Sequence, residues 1–116
     1  MMKVAVFGMG HVGLVTAVML AQAGHTVIGV DVDERRLMAL RRGEVPFNEP
    51  GLALMLKRQL DNLSFTIDGA EAVSESEVSL VCVGTPAAAE GVDLSAVYAV
   101  LDSIAEGLRL SETYHV

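Results

Sequence analysis

Tryptophan is absent, aromatic residues make up only 4% of the chain, and the one cysteine is Cys82. A single thiol cannot close an internal disulfide, so the sequence fits a reducing compartment. Basic residues are also scarce: 8 Lys and Arg stand against 15 Asp and Glu, a formal net charge of −7. Phosphate backbones require clustered Lys and Arg, which excludes a general nucleic-acid surface. The basic residues that do occur sit mostly in Arg35–Arg42 and Lys57–Arg58, without neighbouring aromatics for base stacking. No uninterrupted apolar run approaches membrane-spanning length. The apolar start, Met1 to Ala23, is broken by Gly8, Gly10 and Gly13, and no cleavage site follows. No signal peptide is therefore predicted, no membrane partner is expected, and the expected location is cytoplasmic. Repeats, low-complexity tracts and linkers are missing too.

What is present is a chain of 116 residues, 52% hydrophobic, dominated by small aliphatics. That length predicts one domain with a core of its own. The organising stretch is Gly8-Met9-Gly10-His11-Val12-Gly13. Lys3-Val4-Ala5-Val6-Phe7 before it reads as a buried parallel strand. Val12 to Ala23 after it reads as a helix stopped by Gly24. A second strand, Thr26–Val30, then ends on Asp31. Strand, glycine turn, helix, strand and acid in that order are the context in which GxGxxG indicates a dinucleotide site. Gly8 lets the chain reverse, Gly10 removes a side chain where a diphosphate approaches, and Gly13 lets the helix lie close to the strand. The amides and dipole at the helix start face an anion. A carboxylate at position 31 would accept from the ribose hydroxyls and repel a 2′-phosphate, favouring NAD over NADP.

Further along, Asp33 predicts a helix cap, with the helix running to about Arg42 and ended by Gly43. Arg35 and Arg36 in its first turn oppose the dipole. One of them either reaches the adenosine end of a dinucleotide or belongs to a solvated face. Gly43 to Gly51 is a loop with two prolines, Pro50 being suited to open a helix. Leu52, Leu56, Leu60 and Leu63 recur at helical spacing. Glu49, just before that helix, is either functional or a partner of its dipole. A strand is predicted over Ser64–Ile67, a short helix over Ala70–Ser74 and a buried strand over Val78–Val83. Thr85 follows on the edge that carries ligand contacts in open parallel sheets. Its hydroxyl either bonds a phosphate or ribose, or caps a turn before Pro86. Cys82 is expected to be a buried structural thiol rather than a nucleophile. Asp93 is expected to cap a last helix with Val97, Val100, Leu101, Ile104 and Leu108 on its apolar side.

Four stretches carry a resemblance: KVAVFGMGHVGLVTA, GHTVIGVDVDERRLMALRRG, the EPGL of Glu49–Leu52, and VSLVCVGTP followed by DLSAV. Together they resemble the N-terminal NAD-binding domain of the UDP-glucose/GDP-mannose dehydrogenase family, nearest in appearance to the GDP-mannose 6-dehydrogenases. The resemblance covers nearly the whole chain. It implies an α/β fold, a Rossmann-like doubly wound parallel sheet in three layers, with NAD as cofactor. Gly8, Gly10, His11, Val12 and Gly13 match the family's pyrophosphate turn, and Asp31 its ribose acid. Arg36 lies at or beside its adenosine-side basic position, and Thr85 matches the threonine of its GTP loop. Family members oxidise the C6 alcohol of a nucleotide sugar to a carboxylate with two NAD, in polysaccharide biosynthesis. Their catalytic cysteine, lysine and asparagine lie far downstream, so no catalytic or metal residue is expected here and the nucleotide sugar is a partner of the complete protein only.

Position 11 is His where the family usually has Tyr. The helix-end potential would keep its imidazole neutral, which points to packing or hydrogen bonding rather than acid–base work. His115-Val116 resembles the opening of the family's fifth strand, so a sheet truncated there is expected. Exposed faces on Val78–Val83 and the last helix would favour self-association as a homo-oligomer. The alternative from another class is a stand-alone NAD(H)-binding or sensing module without catalysis.

Overall fold

The computed structural model describes residues 1–116. Strand β1 (Lys3–Phe7) leads into α1 (His11–Gln22), followed by β2 (Thr26–Val30), α2 (Glu34–Arg41) and α3 (Leu52–Arg58). Then come β3 (Leu63–Thr66), α4 (Gly69–Ser74), β4 (Val78–Val81), a hairpin of β5 (Ala87–Ala88) and β6 (Gly91–Val92), and α5 (Ser95–Leu110). The main sheet has the order β3-β2-β1-β4, every pair parallel. This is the expected doubly wound Rossmann-type arrangement.

Its two cores follow from the two-residue period of a strand. Val4, Val6, Val27, Leu63 and Phe65 face α1, α2 and α3, where Leu14, Val18, Leu37, Leu40 and Leu56 close one layer. Ala5, Phe7 and Val30 point the other way and meet Ala72, Val73 and Val100 of α4 and α5. Strands β1 and β2, covered on both faces, read as near-continuous apolar runs. Strand β4, expected to be buried, is instead half-exposed with Val81 exposed, because it is the edge strand of the sheet.

Helices α4 and α5 touch through Gly107, where an added Cβ would lie 2.4 Å from Val73 Cβ and 2.6 Å from the Ala70 carbonyl oxygen. Gly107→Val is therefore expected to push α5 outward and cost about 1–3 kcal/mol, an ordinary overpacking penalty. A lower denaturation midpoint in urea would show it, and an unchanged midpoint would contradict this packing.

Several boundaries differ from expectation. Strand β3 begins at Leu63, one residue early, and Ile67 is exposed beyond it. Pro50 does not open a helix: it lies with Gly51 in a turn, Gly51 adopts φ +81° and α3 starts at Leu52. The leucine repeat continues past the helix end at Arg58, so Leu63 belongs to the sheet instead. Strand β4 ends at Val81, although the Cys82 N–H still donates to the Phe7 carbonyl at 2.8 Å. The β5–β6 hairpin was not foreseen, since two-residue strands carry no alternation to detect.

Helix α5 is capped at Leu94 without a side-chain bond, and Asp93 instead accepts from the Ser95 amide at 2.9 Å and from the Ser95 hydroxyl. Leu101 and Leu108, expected on its buried side, are 47% and 43% exposed. Val100 and Gly107 are the buried residues of this helix, and Gly107 lies against Val73 and Ala70 of α4. At the chain end, the Val116 N–H donates to the Glu77 carbonyl at 2.9 Å and the Ser79 N–H donates to the Val116 carbonyl at 2.8 Å. Bonds that flank one residue in this way are the pattern of a parallel pair, so Val116 lies along the free side of β4.

Candidate functional site

The turn between β1 and α1 is held from three sides. The Gly8 N–H donates to the Val30 carbonyl at 2.7 Å, tying the turn to the end of β2. Gly8 has φ +98°, a conformation that costs residues with a Cβ about 1–2 kcal/mol or more. A Cβ on Gly13 would sit 1.6 Å from the Gly8 carbonyl oxygen, so the helix presses on the turn itself rather than on the strand. Gly10 is different: a Cβ there would meet nothing within 4 Å.

Gly10 is also the N-cap of α1, where no side chain caps the helix and no acid occupies the first turn. The first bond of the helical ladder runs from the Leu14 N–H to the Gly10 carbonyl at 2.9 Å. The amides of His11, Val12 and Gly13 thus precede the ladder as free donors. Helices α2 and α4 close the same gap with carboxylates, Asp33 accepting from Arg36 N–H at 3.1 Å and Asp68 from Glu71 N–H at 3.0 Å. An uncapped start with open space before it can take an external anion.

Asp31 closes β2 beside this opening. Its Oδ2 accepts from the Met9 N–H at 2.8 Å, and its Oδ1 accepts from the Asp33 N–H at 2.9 Å. The carboxylate is therefore fixed at the mouth of the turn, with its side chain only 8% exposed. Arg36 donates from Nη1 to Asp31 Oδ2 at 3.1 Å, so the arginine in the first turn of α2 leans back over the site. Arg35, by contrast, is exposed on the outer side of α2 and has no part in this cluster.

An apolar cavity of about 360 Å³ opens next to Asp31, lined by Phe7, Gly8, Val30, Val32, Ile67 and Val83, with Ala96, Ala99 and Val100 from α5. Its volume falls in the range of small-molecule sites, and its apolar walls suit a flat aromatic base. The α5 lining, which also includes Ser95 and Ser103, was not expected at the site and Val100 only in the core, because α5 reaches the cavity only through its packing on α4. Val12 is exposed at the helix start. Thr85 is exposed in the loop three residues past Cys82, whose carbonyl would lie 2.7 Å from a Cβ on Gly8. The loop therefore leaves the sheet beside the glycine turn.

His11 packs its ring against Phe47 with centroids 5.0 Å apart, and its Nε2 is 3.0 Å from Glu49 Oε2. His11 is thus placed between the Phe47 ring and the Glu49 carboxylate. Glu49 meets this imidazole rather than the amides of α3, so its carboxylate is not a partner of that helix dipole. These contacts pin the Gly43–Gly51 loop to the first turn of α1. Cys82 is half-buried against the larger core near Gly13, and burial pushes its thiol pKa up. A raised pKa leaves less thiolate at neutral pH, which suits a packing residue and not a nucleophile.

The family model for the UDP-glucose/GDP-mannose dehydrogenase family, NAD binding domain, matches residues 2–114. The chain belongs to this family. A UDP-glucose 6-dehydrogenase of Pseudomonas aeruginosa is 45% identical over 111 residues, covering 93% of this chain and 24% of the relative. A GDP-mannose 6-dehydrogenase of the same organism is 40% identical over 117 residues, covering 98% of this chain and 27% of the relative. The crystal structure of a ternary complex of the Pseudomonas aeruginosa GDP-mannose dehydrogenase superposes with a TM-score of 0.94 at 38% identity, over 98% of this chain and 27% of that one. The chain thus spans about a quarter of the length of the curated relatives it matches. As the NAD binding domain of this dehydrogenase family, it takes NAD as its cofactor. No helix is long and apolar enough to cross a membrane.

Proposed function

We propose that this NAD binding domain holds the dinucleotide by its diphosphate at the start of α1 and by its adenosine ribose at Asp31. In the complete protein it would serve a nucleotide-sugar 6-dehydrogenase. The observation that carries the reading is the Asp31 carboxylate bonded to the Met9 amide, in the middle of the glycine turn. That bond holds the carboxylate against the glycine turn that leads into the uncapped start of α1, which supports assigning the ribose to one and the diphosphate to the other.

In this reading Gly10 leaves room for the diphosphate, and the amides of His11, Val12 and Gly13 donate to it. Gly8 and Gly13 shape the turn, Arg36 stands at the adenosine side, and the Thr85 hydroxyl contacts the far half of the dinucleotide. The apolar cavity between Val32, Ile67 and Ala99 receives the adenine. When bound, the nicotinamide supplies a hydride acceptor. The substrate of the complete protein would be a GDP- or UDP-sugar oxidised at C6. This chain alone is expected to be inactive, its contribution being to bind and orient the cofactor. Cytoplasmic location fits a consumer of NAD and nucleotide sugars, and the exposed apolar side of α5 supports assembly into a homo-oligomer.

Calorimetric titration of the chain with NAD and with NADP tests the site. NAD should bind, with NADP weaker by about 100-fold, because placing a phosphate against a fixed carboxylate costs several kcal/mol. A preference for NADP would overturn the role given to Asp31.

A further inference from the structure

Arg36 occupies an acceptor position that a bound ribose needs. An ionised carboxylate offers about four acceptor positions. On Asp31 these already serve the Met9 amide, the Asp33 amide and the Arg36 guanidinium. One position remains, and a ribose brings two hydroxyls. The two amides cannot withdraw, since Met9 lies in the turn and Asp33 caps α2 through its own Oδ1. Arg36 can: it is a side-chain contact, 37% exposed, engaged only through Nη1.

Two consequences follow from this arrangement. A ribose held through both hydroxyls displaces the guanidinium by a short distance and leaves it beside the 2′ and 3′ positions. The root of the side chain cannot travel, because the Arg36 N–H is tied to Asp33 Oδ1 at 3.1 Å. The planar fork of an arginine matches a phosphate in charge and geometry.

Building on the ribose reading of Asp31, we propose that Arg36 is a latent 2′-phosphate-binding cation silenced by Asp31, so that the Asp31–Arg36 pair acts as one unit in choosing NAD over NADP. Asp31 does so in two ways. It repels the 2′-phosphate directly, and it occupies the cation that would otherwise receive that phosphate. Loss of the Asp31 charge alone therefore turns the pair from an excluding device into a receiving one, with no new basic residue introduced.

The test is a set of titrations with NAD and NADP on the wild-type chain, Asp31→Asn, Arg36→Gln and the double variant, with thermal melting of each. Asp31→Asn keeps a carbonyl oxygen for the Met9 amide. Asp31→Ser, whose hydroxyl can also accept that bond, is the second variant should the first melt early. The expected result is a gain in NADP affinity of at least about tenfold in the position-31 variant, the effect of one charge-assisted bond. When Arg36→Gln is added, the part of the gain that belongs to the guanidinium should be lost, a fall of at least about tenfold that leaves only the relief of repulsion. An equal gain with and without Arg36 would show relief of repulsion alone and overturn the inference, as would no gain at all in folded variants. A wild-type chain that fails to bind NAD would instead overturn the ribose reading itself, and this inference with it.

Discussion

Gly13→Ala is expected to lower the melting temperature by on the order of 15 °C and to abolish NAD binding. The added methyl would sit 1.6 Å from the Gly8 carbonyl oxygen, about half of an ordinary contact distance. Neither partner can yield. Gly8 is tied to the Val30 carbonyl and backed by the Cys82 carbonyl, while α1 is anchored by the fully buried Leu14, Ala17 and Val18. Overpacking costs about 1–3 kcal/mol where side chains can shift, and a backbone-to-backbone clash belongs at the upper end. At about 4–8 °C per kcal/mol for a domain near this size, the melting shift follows. Circular dichroism melting checks it. A variant melting within a few degrees of wild type would mean that the turn has slack that the present geometry denies.

Gly10→Asp is expected to do the opposite to the fold and the same to the ligand. A Cβ at this position meets nothing, and its φ of −75° suits any residue. Aspartate is a better N-cap than glycine by a few tenths of a kcal/mol, so the melting temperature should hold or rise slightly. Its carboxylate would take the amides proposed to face the diphosphate and set a like charge against it, at a cost of several kcal/mol. Affinity for NAD should fall by at least about 100-fold, the equivalent of a 2.8 kcal/mol loss. Titration calorimetry on a variant of verified stability provides the measurement. Retained affinity would place the diphosphate somewhere other than the start of α1. These two outcomes would separate folding from binding within one motif, with Gly13 serving backbone packing and Gly10 the proposed diphosphate site.

The first unit was the most legible part of the chain, since its elements lie within about thirty residues and each has a local cause. Lys3–Phe7 is an apolar run, Gly24 a stop with φ +101°, and Asp33 a side-chain cap, each a short-range effect. The same holds for the placement of Asp31, because a strand of fixed rise delivers its last residue to a fixed edge. What lies farther apart was less visible. Glu49 read as either functional or a partner of the helix after it, and it pairs with His11 because the intervening loop folds back over α1. Phe47 of that loop packs against the larger core and the His11 ring, contacts that no spacing encodes.

The amino-acid sequence by itself determined the α/β class, the glycine turn and the acid that faces it, because periodicity, caps and turn residues act over a few positions. Tertiary structure alone decided that Arg36 shares an oxygen with the Met9 amide, that Gly107 rather than Leu101 or Leu108 meets α4, and that small residues of α5 wall the cavity. Those outcomes depend on where separate elements come to rest against one another. Close-packed side chains settle that placement jointly, and no single stretch of chain contains the answer.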